Sequence, residues 1–179
     1  MREPKILLLY PPNQLMPVET PRPDGSLGLL YLAGALRDIG IEADLLDATV
    51  GTAHDTLEQT FFRSELQPNG LTRIGMTWHR LEEFFASAMY DIICINSNFT
   101  PQTTMAFKTA EITKRVNPAT LVVAGGVNAR NLWQRFMRTG NFDIICTTEG
   151  EKVIQEIAFR FRQELPYDSI NGTIYFSAS

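Results

Sequence analysis

Short apolar runs alternate along this chain with stretches of helical spacing, and that alternation constrains the fold more than any other feature. Lys5–Tyr10 reads as a buried strand, Ile41–Asp47 as a second, Asp91–Ser97 as a third, Leu121–Gly125 as a fourth and Phe142–Thr147 as a fifth. Between them Gly28–Ile39, Pro101–Val116, Asn128–Thr139 and Gly150–Glu164 carry apolar residues at helical spacing. A β-α-β-α order implies right-handed crossovers and a mostly parallel sheet with helices on both faces. The expected class is therefore α/β, a Rossmann-like (flavodoxin-like), doubly wound sheet of five to six strands. Gly172–Phe176 is expected to add a last strand. With 179 residues and 44% hydrophobic residues, the chain is expected to form one domain over its whole length, 1–179.

Two segments interrupt the pattern. Pro11–Leu27 holds five prolines and joins the first strand to its helix, and it is expected to be mobile without a ligand because it has no evident apolar anchor. Between strands two and three, roughly residues 52–90, Leu57, Phe61, Phe62 and Leu66 and then Leu81, Phe84, Phe85 and Ala88 predict a helical insert of two helices. Thr100 followed by Pro101 predicts an N-cap and first-turn proline for the third helix.

In an open α/β sheet, ligands bind outside the carboxyl ends of the strands. Here the turns at that edge are Tyr10-Pro11-Pro12-Asn13, Ser97-Asn98-Phe99-Thr100, Gly125-Gly126-Val127 and Thr148-Glu149-Gly150. They are small, hydroxyl-bearing or amide-bearing, and two adjacent glycines end the fourth strand where a ligand would approach the backbone. Catalytic groups are scarce. His54 and His79 read as solvated or structural, Cys94 and Cys146 as core, and no Walker A loop, GxGxxG loop or GxSxG elbow occurs. No cysteine motif for an iron–sulfur cluster is present either. We assign no catalytic residue and no metal ligand from the sequence. The net charge of −4 argues against a nucleic-acid surface, no apolar run is long enough to span a membrane, and a cytoplasmic location is expected.

The chain resembles the N-terminal cobalamin (B12)-binding domain of B12-dependent radical SAM proteins. The likeness rests on KILLLYPPN, SLGLLYLAGALRDIGIEADLLDA, the segment from DIICINSNFTPQ to LVVAGGVNA, FDIICTTEGEKVIQEI and SINGTIY, in that order across nearly the whole chain. It implies a module that holds cobalamin, and so cobalt, at the carboxyl edge of the sheet. Tyr10, Pro11, Pro12 and Asn13 would face the corrin or its nucleotide tail. Ser97, Asn98, Phe99 and Thr100 would form a turn of the SxL kind, Gly125, Gly126 and Val127 would floor the tail pocket, and Thr148, Glu149 and Gly150 would close it. Mutase-type relatives carry DxHxxG after the first strand, where this chain reads YPPNQ, so base-off cobalamin without a histidine ligand is expected. Asn128 stands where GGxH is frequent, and Ser26 stands where a proline is usual. The resemblance further implies a catalytic radical SAM domain downstream in cis, methyltransferase-type, carrying the 4Fe-4S cluster and S-adenosylmethionine. Two other readings stay open: a flavodoxin-like enzyme using a nucleotide or flavin, and a degenerate B12-like domain serving as an interaction module through exposed aromatics of residues 52–90.

Overall fold

A computed structural model describes residues 2–22 and 25–175. In chain order the elements are β1 (Ile6–Tyr10), β2 (Asn13–Leu15), α1 (Leu27–Arg37), β3 (Asp44–Asp47), β4 (Glu65–Leu66), β5 (Thr72–Ile74), α2 (Trp78–Ala88) and β6 (Ile92–Asn96). There follow α3 (Thr103–Val116), β7 (Leu121–Gly125), α4 (Val127–Asn131), α5 (Trp133–Arg138), β8 (Ile144–Cys146), α6 (Gly150–Gln163) and β9 (Thr173–Tyr175). The main sheet has the order β3-β1-β6-β7-β8-β9, parallel throughout except for the antiparallel β8–β9 pair at one edge. This is the doubly wound α/β sheet that the alternation implies. Phe176, the last residue of the expected final strand, lies outside the described residues. Among the described residues no helix is long and apolar enough to cross a membrane.

The period-two alternation of the strands sorts their side chains between two cores. Leu7, Leu9, Ile93, Ile95, Val122 and Ala124 pack toward α2, α3 and α5, where Phe107, Phe136 and Phe142 form a cluster of edge-to-face and tilted rings with centroids 4.8–6.1 Å apart. Ile6, Leu8, Cys94, Val123, Ile144 and Cys146 pack on the opposite face toward Leu29 and Leu36 of α1 and Val153, Ile154 and Ile157 of α6. The strands are thus buried on both sides, which is why they read as unbroken apolar runs.

Several expectations need correction. The insert at 52–90 contains one helix, α2, rather than two. Residues 52–64 fold as turns because local side chains take the backbone donors and acceptors a helix would use. Asp55 Oδ2 accepts from Thr52 N at 2.9 Å and from its hydroxyl at 2.6 Å, Gln59 Oε1 accepts from Thr56 N, and the Thr60 hydroxyl donates to Val50 O and Thr56 O. Only Phe61 of the expected stripe is buried, while Leu57, Phe62 and Leu66 are exposed. The proline-rich exit of β1 is anchored as well. Its β2 segment pairs antiparallel with β5 in a small sheet β2-β5-β4, and Gln14 is buried there, accepting from Thr104 Oγ1 at 3.1 Å. Thr100 does not cap α3. It opens a 3-10 turn, Thr100–Gln102, and the Gln102 side chain instead reaches back to accept from Asn98 N and Phe99 N. Finally, the single helix expected over Asn128–Thr139 is broken at Leu132, and α5 turns its Phe136 into the aromatic cluster.

Asp55 joins that turn segment to α2. Burial alone would raise its carboxyl, but hydrogen bonds from Arg80 (Nε at 2.7 Å) and Thr52 outweigh it and hold the group below the ordinary carboxylate range. A depressed folded-state value means stabilisation that is present above the unfolded value and lost as the pH falls through the folded one. Asp55→Ala is expected to lower stability by about 2–3 kcal/mol near neutral pH, the worth of hydrogen bonds to a charged group. Urea denaturation checks this, with the gap to wild type closing as the pH drops below about 4.

Candidate functional site

A cavity of about 250 Å³ opens at the carboxyl edge of the sheet, between α1 and the start of α6. Its floor follows from strand alternation. Cys94 and Asn96 of β6, Val123 and Gly125 of β7 and Cys146 of β8 all present the same face. In register, Asn96 lies beside Gly125. The missing side chain at Gly125 leaves space there, and a Cβ built at that position would have Cys146 Cβ, at 3.8 Å, as its nearest neighbour. The walls are Leu29 and Leu32 of α1 and Val153, Ile154 and Ile157 of α6. Gly150, at the first turn of α6, lets the two helices approach: a Cβ there would come within 2.8 Å of Leu32 Cδ2.

The mouth is polar. Asn98, Arg130, Thr148, Glu149 and Glu151 line it, none of them buried. The Glu149 side chain makes no cap hydrogen bond to α6. Deeper down the cavity is apolar and protonated. Burial pushes the Cys94 thiol up to about 12, and it raises the Cys146 thiol too, whose Sγ donates to Thr148 O at 3.4 Å. Both cysteines are free and buried, core residues that also form part of the floor. Asn96 is the exception. Only 8% exposed, its side chain makes no hydrogen bond among the described residues, and its Oδ1 is a buried acceptor without a donor.

Of the residues expected at the site, the cavity brings together Asn98, Gly125, Gly126, Val127, Thr148, Glu149 and Gly150. The others lie elsewhere. Tyr10, Pro11 and Pro12 are buried, Tyr10 lining a second hollow beside Leu45 and Asp47, and Asn13 starts β2 and follows the chain away from the cavity. Ser97 is fully buried beneath the turn. Its carbonyl accepts from Asn128 N and Ala129 N, and its hydroxyl accepts from Asn128 Nδ2 at 2.8 Å. Phe99 and Thr100 are exposed and outside the lining, with Phe99 55% exposed. Neither His54 nor His79 lines the cavity, and the His79 side chain is 82% exposed beside Glu83. Among the described residues no group of three or more His, Cys, Asp or Glu could hold a metal ion.

The sequence profile of the B12 binding domain matches residues 25–158, three quarters of the chain. The chain belongs to the B12-binding domain family. Cytidylyl-2-hydroxyethylphosphonate methyltransferase of Streptomyces wedmorensis is 26% identical over 151 residues, covering 82% of this chain and 26% of that protein. Among solved structures, the cobalamin-dependent S-adenosylmethionine radical enzyme OxsB, with aqua-cobalamin and S-adenosylmethionine bound, superposes with a TM-score of 0.70 at 22% identity, over 99% of this chain and 21% of that one. The radical S-adenosylmethionine methyltransferase TsrM from Kitasatospora setae, with cobalamin and a [4Fe-4S] cluster bound, gives 0.73 at 20% identity, over 99% and 30%. These structures share the fold. The B12-binding domain described here spans only a fifth to a third of the proteins it resembles.

Proposed function

We propose that this B12-binding domain holds cobalamin in base-off form at the carboxyl edge of its sheet, with the nucleotide tail in the cavity between α1 and α6 and the corrin over the mouth. The observation that carries this reading is the cavity itself. At about 250 Å³ it falls just short of the roughly 300–1,000 Å³ of sites that enclose a whole drug-sized ligand. It suits the flat ring at the end of a tail and is far too small for a corrin. The residues fit such a group: Gly125 and Gly150 leave the slot open, the aliphatic walls exclude water, and Asn98, Thr148, Glu149 and Glu151 offer hydrogen-bonding groups at the rim. Bound cobalamin would supply a cobalt centre able to carry an alkyl group. The chain's own part is to seat the tail and keep it dry, and it offers no histidine in the cavity to take the cobalt's lower face.

In a longer polypeptide this domain would serve a radical SAM enzyme of methyltransferase type, its 4Fe-4S cluster and S-adenosylmethionine residing in a catalytic domain in cis. The likeness to a curated methyltransferase supports that assignment. The test is direct. Purified domain mixed with hydroxocobalamin and desalted is expected to retain about one equivalent of corrinoid, with a base-off absorbance spectrum. Failure to retain or titrate any cobalamin overturns the reading, and a histidine-type spectrum overturns its base-off part.

A further inference from the structure

The helices α2, α3 and α6 all carry charged residues along their length, but α1 holds none from Leu27 to Leu36. Its inner side is used: Leu29 and Leu36 pack with Ile6 and Leu8 of the sheet and with Ile154 and Ile157 of α6. The remaining side is apolar and faces water. Leu27, Leu30 and Tyr31, at spacing i, i+3 and i+4, are 57–61% exposed, and exposed Gly34 follows at i+7. A contiguous apolar helix stripe of this kind marks a surface that another element covers.

Strand β3 supplies the second wall. It ends the main sheet, and among the described residues no strand pairs with its outer side. Ala48 N donates to Tyr10 O, so alternation along the parallel ladder turns the backbone groups of Asp44 and Leu46 toward β1 and leaves the Leu45 N–H and C=O pointing outward. The Leu45 side chain, 48% exposed, lies on the α1 face beside Leu8. Asp44 lies on the opposite face, where its Oδ2 accepts from Tyr90 OH at 2.8 Å. Between the edge and the helix is the hollow of about 290 Å³, lined by Leu27, Leu30, Leu45 and Leu46. Ser26 Oγ is buried at that hollow without a hydrogen-bond partner and does not cap α1. Asp44 and Asp47 flank the two leucines of β3, and neither is in an ion pair among the described residues.

We propose that this edge takes up an extended segment of a partner protein in which apolar and basic side chains alternate. Such a segment adds a strand to β3 through the Leu45 backbone, sets its apolar side chains on the α1 face with one in the hollow, and sets its cations on the face of Asp44. A second copy of the chain does not fit. It would gather four like charges along one edge, and four exposed apolar side chains fall well short of the roughly 20–30 residues per side of an interface between folded proteins. The groove runs along the side of the sheet, on the flank of α1 turned away from α6, so the inference does not depend on cobalamin binding.

The probe is a short labelled peptide alternating valine and lysine, titrated against the full chain by fluorescence anisotropy, with a valine–glutamate peptide as control. The lysine peptide is expected to bind at least about tenfold more tightly than the glutamate one. Leu30→Gln should weaken it about tenfold, the worth of covering most of a leucine side chain. Leu66→Gln, at a leucine 71% exposed on β4, should leave the affinity within about twofold, which separates this groove from general attraction to an acidic protein. Both variants should melt as wild type does, since both side chains are exposed. Hydrogen exchange at the Leu45 amide should slow when the peptide is bound. No binding of the lysine peptide, equal losses in the two variants, or an unslowed Leu45 amide overturns the proposal. Dimerisation seen by sedimentation velocity and abolished by Leu30→Gln would give the face to a second copy, and exclusion of the peptide by hydroxocobalamin would give it to the cofactor. Either result also overturns it.

Discussion

Gly125→Leu is expected to abolish cobalamin retention, by at least about a hundredfold in affinity, in a chain that remains folded. Gly125 is the last residue of β7, and its φ is not among the positive values, so a side chain strains no backbone. The nearest heavy atom to a built Cβ is Cys146 Cβ at 3.8 Å, an ordinary contact. The isobutyl group would extend into the slot beside Asn96 and meet Val123, Cys146 and the α1 and α6 walls, all apolar or thiol. Filling an apolar cavity from the protein side buries surface at roughly 25 cal/mol per Å² and replaces a weak strand former. The melting temperature should therefore hold or rise while the space the tail needs disappears. Absorbance titration with hydroxocobalamin, alongside circular dichroism, separates the two effects. Gly125→Ala, one methyl group, should weaken binding far less. Undiminished binding by a folded Gly125→Leu chain would remove the tail from this cavity.

The sheet was legible in the sequence because its parallel strands are buried on both faces, and short continuous apolar runs such as Leu121–Ala124, bounded by turn residues, are what that burial requires. About a third of the cavity lining was legible too. Gly125 and Gly126 at the end of β7 and the Thr148-Glu149-Gly150 turn sit where strand ends must open in a parallel sheet. The missed residues are those that depend on long-range pairing. Leu29 and Leu32 line the cavity only because α1 packs against α6, more than a hundred residues away, and Gln155 Nε2 donating to Ala35 O is part of that contact. Asn96 had a signal of its own. Counting by twos forward from Cys94 and across to Gly125 puts it on the cavity face, whereas Ser97, expected in its place, points beneath the turn. The expectation at Tyr10–Asn13 rested on treating the proline-rich exit as a free loop, whereas β2 pairs with β5 and carries Asn13 away from this cavity. The phantom helix over 57–66 came from apolar spacing alone, which does not register hydrogen bonds that Thr52, Asp55 and Gln59 make to nearby backbone and side chains.

The neighbouring glycine should behave in the opposite way. Gly126 sits at φ 101°, ψ 162°, a region essentially closed to residues with a Cβ. A Cβ there would lie 2.5 Å from both Asn98 Oδ1 and the Ser97 carbonyl oxygen. That carbonyl is not free to move, since it accepts from Asn128 N at 3.1 Å and Ala129 N at 3.2 Å, and Asn128 in turn donates to Ser97 Oγ and Thr103 Oγ1. Gly126→Ala therefore combines backbone strain of about 1–3 kcal/mol with an overpacking cost of about 1–3 kcal/mol. A loss of about 3 kcal/mol or more is expected, read as a fall in melting temperature of roughly 6–12 °C for a chain of this length. Displacing the Ser97-Asn98 turn should also move Asn98 at the mouth, so cobalamin affinity should drop together with stability. The pair of variants thus distinguishes two reasons for a glycine at adjacent positions: Gly125 leaves room for a ligand, and Gly126 leaves room for the protein's own backbone. Gly126→Ala with wild-type melting and binding would mean that the Ser97 turn yields more readily than its hydrogen bonds imply.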